Sequence, residues 1–203
     1  ALVATHTGSV QVSVASGPGF VGEVTSRTLV NGVATFTGLG ADKAGTYRLA
    51  VTSPGLTPDT TAAFNVVAGP AQNIQLVTGG GQTALVSTLL PGTIAVKVTD
   101  GATNPVSGAT VTFAIATGGG SLLGATTVTD SVGIATLGGW TLGATDGTQS
   151  ITATVGAVPP LTITATAQPL APVIQLNVVG SNVVGFQREG ELRVKLMQPA
   201  PMD

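Results

Sequence analysis

Short runs of this chain return about one hundred residues downstream. Ile74-Gln75-Leu76 reappears as Ile174-Gln175-Leu176, and Ile94-Ala95-Val96-Lys97-Val98 as Leu192-Arg193-Val194-Lys195-Leu196. At a shift of 101, Val10, Val12 and Val14 line up with Val111, Phe113 and Ile115, and Asn31-Gly32-Val33-Ala34-Thr35 lines up with Val132-Gly133-Ile134-Ala135-Thr136. Gly45-Thr46 then matches Gly147-Thr148, with Leu49 and Ile151 following. Solenoid units run to about 20–50 residues, so a period this long belongs to whole repeated domains. The chain reads as a length of a modular array, with both ends falling inside a repeat.

Within each copy the pattern is that of strands. Val10, Val12 and Val14 alternate with polar or small residues, which places one set of side chains on a single buried face. Gly, Thr, Val and Ala dominate the sequence; Thr and Val favour pleated strands, and Gly and Pro punctuate them. Charged residues make up 8%, against roughly 25% in ordinary soluble proteins. With 43% hydrophobic residues, the chain has ample material for cores, and disorder is not the reading. The uncharged stretches are broken every few residues by Gly, Pro, Thr or Gln, so no apolar helix of about 20 residues can form. A net charge of −2, no basic run and 3% aromatics give nucleic acid neither a positive stripe nor a stacking platform. Cys is absent, so stability rests on core packing rather than disulfides. The sequence starts at Ala1 without a signal peptide, as a processed chain or a fragment would.

Ala68-Gly69-Pro70 and Gln168-Pro169 read as linkers. They divide the chain into residues 1–69, a module lacking its first two strands; 70–168, a complete module; and 169–203, the first two strands of a further one. In the complete module, strands are expected near Ile74–Val77, Gly92–Thr99, Ala109–Ala116, Ala125–Thr129, Gly133–Leu142, Gln149–Val155 and Leu161–Ala167. Seven short strands separated by turn signals predict an all-β Greek-key sandwich. The outer pieces together amount to one module cut open. Either the array continues in the same polypeptide, or a neighbouring chain supplies the missing strands by strand addition.

The middle stretch resembles a bacterial Ig-like domain of the invasin/intimin type. The residues that carry the likeness begin with Gln82-Thr83-Ala84, Leu90-Pro91, Val96-Lys97-Val98-Thr99-Asp100, Asn104-Pro105-Val106-Ser107-Gly108 and Val111-Thr112-Phe113. Gly118-Gly119-Gly120-Ser121-Leu122, Thr129-Asp130-Ser131-Val132-Gly133-Ile134-Ala135 and Ile151-Thr152-Ala153 complete it. Thr103 departs from the pattern, standing where such domains usually carry Gly before Asn-Pro. The first segment is similar to related repeats through Asn31–Phe36 and Ala44–Leu49, and the tail through Leu192–Leu196 with Pro199-Ala200-Pro201. The resemblance implies tandem Ig-like modules of surface stalks, adhesins or filaments. Receptor-binding chemistry in that family often sits in a separate terminal domain, so no binding residue carries over.

No residue set specifies a reaction. His6, the only histidine, sits beside Thr5 and Thr7 near the start. One His and no Cys cannot build a structural zinc site. The nine carboxylates are Glu23, Asp42, Asp59, Asp100, Asp130, Asp146, Glu189, Glu191 and Asp203. They fall mainly in turns, where Asp supports the backbone locally; calcium at an inter-module junction is the alternative. Gly79-Gly80-Gly81 and Gly118-Gly119-Gly120 lack the following helix and Lys-Ser/Thr pair of a phosphate cradle, and read as hairpin or bulge loops with positive φ. Lys97 and Lys195 fall on the outward parity of their strands, which argues against a buried Lys–Asn cross-link. Tyr47 resembles the tyrosine corner of Greek-key sandwiches. Gln149 takes its place in the second copy, so the feature reads as inessential. Trp140 reads as a core residue, with an exposed sugar-stacking role as the alternative. Arg188, Glu189, Glu191, Arg193 and Lys195 form a local charge cluster, read as a solvated hairpin or an ionic contact at an interface.

The function expected is that of a non-catalytic structural or adhesive array, extracellular on a bacterial cell or virion surface and acting as stalk or spacer. Catalytic, cofactor and metal residues are expected to be none. Expected partners are copies of the same chain or further modules of it, and a host or surface glycan or protein receptor; neither nucleic acid nor membrane insertion is expected. The alternatives are a carbohydrate-binding accessory module and a phage fibre or decoration module.

Overall fold

The computed structural model describes residues 8–19, 22 and 25–171, together with the backbone of two further strands at 173–177 and 193–197. All regular structure among them is strand. The first part carries β1 (Ser9–Ser16), β2 (Ser26–Thr28), β3 (Gly45–Thr52), β4 (Asp59–Thr60) and β5 (Phe64–Val66). They form an antiparallel sheet ordered β2-β1-β3-β4, with β5 also pairing β3. The valine alternation of β1 buries Val12 between exposed Gln11 and Ser13.

The middle part carries β6 (Asn73–Thr78), β7 (Gln82–Leu85), β8 (Ile94–Thr99), β9 (Thr110–Thr117), β10 (Gly120–Leu123), β11 (Thr126–Val128), β12 (Ile134–Leu137), β13 (Gly139–Leu142), β14 (Gly147–Thr154) and β15 (Leu161–Gln168). A five-stranded sheet, β11-β9-β14-β15-β7, and a three-stranded sheet, β12-β8-β6, share one core, and β10 and β13 form a ribbon of their own. Val96 and Val98 of the small sheet pack with Val111, Phe113, Ile151 and Ile163 of the large one, and Trp140 and Leu142 join them from the ribbon. Both sheets therefore depend on one apolar layer, the sandwich solution to two half-buried faces.

Gly79-Gly80-Gly81 is the crossing between the two sheets. Before it, β6 pairs antiparallel with β8; after it, β7 pairs parallel with β15. Gly79 has φ 90, and a Cβ there would sit 2.3 Å from the Thr93 carbonyl oxygen, so only glycine fits. The expected hairpin or bulge is thus a sheet switch. The strands differ from the sequence reading in two further ways. Gly133–Leu142, expected as one strand, is two, divided at Gly138, where a Cβ would meet the Leu123 carbonyl oxygen at 2.8 Å. Strands β7 and β10 fall outside the seven expected strands: Gln82-Thr83-Ala84-Leu85 and Gly120-Ser121-Leu122-Leu123 carry no apolar–polar alternation in sequence and owe their identity to their pairing partners.

The last two strands, β16 (Val173–Asn177) and β17 (Arg193–Met197), form an antiparallel hairpin. Its register repeats that of β6 with β8. Ile74↔Val98, Gln75↔Lys97 and Leu76↔Val96 return as Ile174↔Leu196, Gln175↔Lys195 and Leu176↔Val194.

Candidate functional site

The densest polar site lies where the loop before β3 meets the turn after β8. That turn, Asp100–Asn104, is organised by one carboxylate. Asp100 Oδ1 accepts the Ala102 and Asn104 backbone N–H groups at 2.9 and 2.8 Å, and Oδ2 accepts the Asn104 side-chain amide at 2.9 Å. Oδ2 also accepts the Gly69 N–H at 2.9 Å, which ties the linker before β6 to the same turn. Asp100 is 6% exposed. Burial by itself would raise its carboxyl; the hydrogen bonds from Asn104, Gly69 and Ala102 outweigh that and hold it below the usual carboxylate range.

Asn104, itself buried, faces both ways. Its Oδ1 accepts the Ala44 N–H at 3.0 Å, and its Nδ2 donates to the Asp42 carbonyl at 3.0 Å. The amide therefore pairs with loop backbone as a neighbouring strand would. Beside it, Lys43 Nζ donates to the Ala102 carbonyl at 2.7 Å and to Thr103 Oγ1 at 3.2 Å. The Lys43 carbonyl in turn accepts the buried Tyr47 hydroxyl at 2.8 Å, so the loop is anchored from behind. Four hydrogen bonds thus join residues 42–44 to residues 102–104; the three part-buried ones have a typical net worth of about 1 kcal/mol each, and the exposed Lys43–Thr103 bond contributes less.

Thr103 adopts φ 66, the left-handed region in which a β-branched residue is an outlier. The turn requires a left-handed residue at this position, which glycine would adopt freely and threonine meets under strain. Its hydroxyl donates to the Ala102 carbonyl at 2.6 Å and accepts from Lys43.

The other residues weighed from the sequence are scattered. Asp130 Oδ1 accepts the Val132 and Ile134 N–H groups, both at 2.9 Å, a turn role, whereas Asp59 lies in β4, where its Oδ1 accepts the Thr60 N–H at 2.7 Å. Asp42 contributes its backbone to the junction. Each Asp100 oxygen already accepts two N–H donors, so the carboxylate is committed without a cation. Among the described residues no three His, Cys, Asp or Glu side chains gather as metal ligands. Trp140 is 1% exposed and belongs to the core, and its Nε1 has no hydrogen-bond partner among the described residues. Lys97 points to solvent. His6, Glu23, Glu189, Glu191, Asp203 and the side chains of the Arg188–Lys195 charge cluster lie outside the described residues.

Sequence reasoning missed Asn104 and Lys43 as junction residues. The signal available was the Asp100-to-Asn104-Pro105 spacing, which marks a turn but not what the turn touches.

No protein-family model matches this sequence, nor does any curated protein. Among solved structures, the D0–D1 domains of intimin are 23% identical, with 81% of this chain and 82% of that chain covered and a TM-score of 0.36. A C-terminal 282-residue fragment of intimin, in complex with the intimin-binding domain of the translocated intimin receptor, is 24% identical over 63% of this chain and 45% of that one, with a TM-score of 0.38. Domains 4–9 of the surface layer protein SbsC are 15% identical over 96% of this chain and 28% of that one, with a TM-score of 0.41.

Proposed function

We propose that this chain is a non-catalytic structural array of Ig-like modules in an extracellular surface protein. It acts as a stalk or spacer, and it assembles with copies of itself. In this reading residues 1–69, 70–168 and 169–203 belong to three successive modules. The observation that carries it is the junction, where Asn104 and Lys43 fasten the loop at 42–44 to the turn at 102–104. A spacer transmits position and load, so it needs joints that resist bending. Chemistry of a site would need converging reactive groups, whereas the polar groups here are spent on one another and on backbone. A carbohydrate platform would need a set of exposed rings, whereas Trp140 and Tyr47 are buried and the exposed Phe64 is stacked against Tyr47. A receptor, if the array has one, falls to modules or surfaces beyond this junction.

Small-angle scattering of the chain and of Asn104→Ala tests the reading. The chain is expected to give a narrow distribution of conformations and the variant a broader one, with the fold of each part unchanged by circular dichroism. A broad distribution for the unaltered chain would sink the spacer reading.

A further inference from the structure

The two copies of the repeat differ in how well the same positions are buried. Val111, Ile151 and Ala153 are fully buried beneath the small sheet β12-β8-β6. Their counterparts Val10, Leu49 and Val51 are only half-buried, on the sheet formed by β1 and β3. A cavity of about 520 Å³ opens beside that sheet, with Val12, Val14, Thr25 and Thr52 in its wall. Val33–Phe36 corresponds to β12, yet among the described residues it forms no ladder, and Val33 is 52% exposed. In the sandwich, β12 is a strand because β8 pairs with it, from Ile134↔Lys97 to Leu137↔Ile94. The first sheet thus has the sequence of a facing strand, engaged among the described residues only by the isolated Val30–Val33 bridge.

The hairpin β16–β17 has the backbone register of β6–β8. Its sequence repeats theirs at Ile174-Gln175-Leu176 and Val194-Lys195-Leu196. We propose that a second copy of this chain lays its β16–β17 hairpin over the open face of β1 and β3. There β17 pairs antiparallel with Val33–Phe36, in the register Val33↔Lys195, Ala34↔Val194 and Thr35↔Arg193. The result is a three-stranded sheet like β12-β8-β6, with the second copy's β16 on its outer edge, and a head-to-tail, open-ended assembly. Burying Val10, Leu49, Val51 and Phe36 drives it, and the strand ladder sets its register. The inference rests on the self-assembling form of the proposed function and names the surfaces that would carry it.

The absence of cysteine makes the test direct. Chains bearing Val33→Cys are mixed with chains bearing Lys195→Cys under mild oxidation, beside an off-register mixture of Val33→Cys with Val194→Cys. The expected result is a mixed disulfide forming at least fivefold faster in the first mixture. Sedimentation of the unaltered chain, which needs no substitution, is expected to give a mass that rises with concentration, and removal of residues 169–203 is expected to abolish the rise. A chain monomeric at every concentration overturns the proposal and leaves the spacer reading to the scattering experiment. Self-association with equal cross-linking in both mixtures overturns the hairpin docking while leaving self-assembly intact.

Discussion

The side-chain amide of Gln149 donates to the carbonyl of Thr145 at 2.7 Å, the bond that the Tyr47 hydroxyl makes to Lys43 at 2.8 Å, in each case four residues back. Two chemically different side chains therefore close the same corner in the two copies of the repeat. Glycine accommodates both. A Cβ on Gly17 would lie 2.3 Å from Tyr47 Cδ1, and one on Gly118 would lie 2.3 Å from Gln149 Cγ. From the sequence, Gln149 reads as loss of the tyrosine corner; in the structure the bond is kept and the ring is replaced.

Gln149→Leu is expected to destabilise the sandwich by about 2–4 kcal/mol. Gln149 also accepts the Gly143 N–H at 2.8 Å and donates to its carbonyl at 3.3 Å, and Leu would leave these buried groups unpaired. Tyr47→Phe, which removes one hydroxyl, is expected to cost about 1 kcal/mol in the first sheet. Urea unfolding followed by fluorescence of Trp140, the only tryptophan and a core residue of the sandwich, would register the first change and be nearly blind to the second.

Thr103→Gly is expected to stabilise the chain by about 0.5–1 kcal/mol. Relief of a left-handed β-branched residue is worth roughly 1–2 kcal/mol, and the greater chain entropy of glycine offsets part of it. The Lys43–Thr103 bond that is lost is exposed and long, so it subtracts little. A lower urea midpoint for the glycine variant would show that the threonine hydroxyl contributes more than the strain costs.

Gly133→Ala probes a position where neither conformation nor space is free. Gly133 has φ 77, and a Cβ there would sit 2.6 Å from the Val98 carbonyl oxygen, inside the β8 ladder. A loss of about 2 kcal/mol or more is expected, read from the same fluorescence transition. An unchanged midpoint would mean that β8 and the Asp130 turn shift without cost.

Asp100 makes the junction sensitive to acid. Its carboxyl is held below the ordinary range in the folded chain, so its contribution is fully present above the unfolded carboxylate value of about 3.9 and fades as pH falls through the lower folded value. Asp100→Asn is expected to lower stability at neutral pH and to flatten the decline below about pH 4. An acid limb as steep in the variant as in the unaltered chain would place the titrating group elsewhere.

Most of the fold is legible in the sequence because strand faces follow a period of two. Val111 and Phe113 alternate inward as read, and the one-hundred-residue recurrence aligns strands that have the same partners in space. What escaped is what a partner decides. Strand β7 exists because β15 runs beside it, and the single expected strand at Gly133–Leu142 divides where Gly138 meets Leu123.

The junction divides in the same way. The sequence by itself determined the all-β character, the recurrence of Ile74-Gln75-Leu76 at Ile174-Gln175-Leu176 and the turn at Asp100–Asn104. Each follows from local alternation, glycine and proline punctuation, or a side chain within a few residues of its own backbone. Only the tertiary structure decided that Asn104 reaches Ala44, that Lys43 reaches Ala102, and that Val33–Phe36 has no ladder among the described residues while β12 has one. Those outcomes depend on groups about sixty residues apart meeting in space, and on whether a second strand is present to satisfy a backbone edge. Neither condition is written in a local pattern.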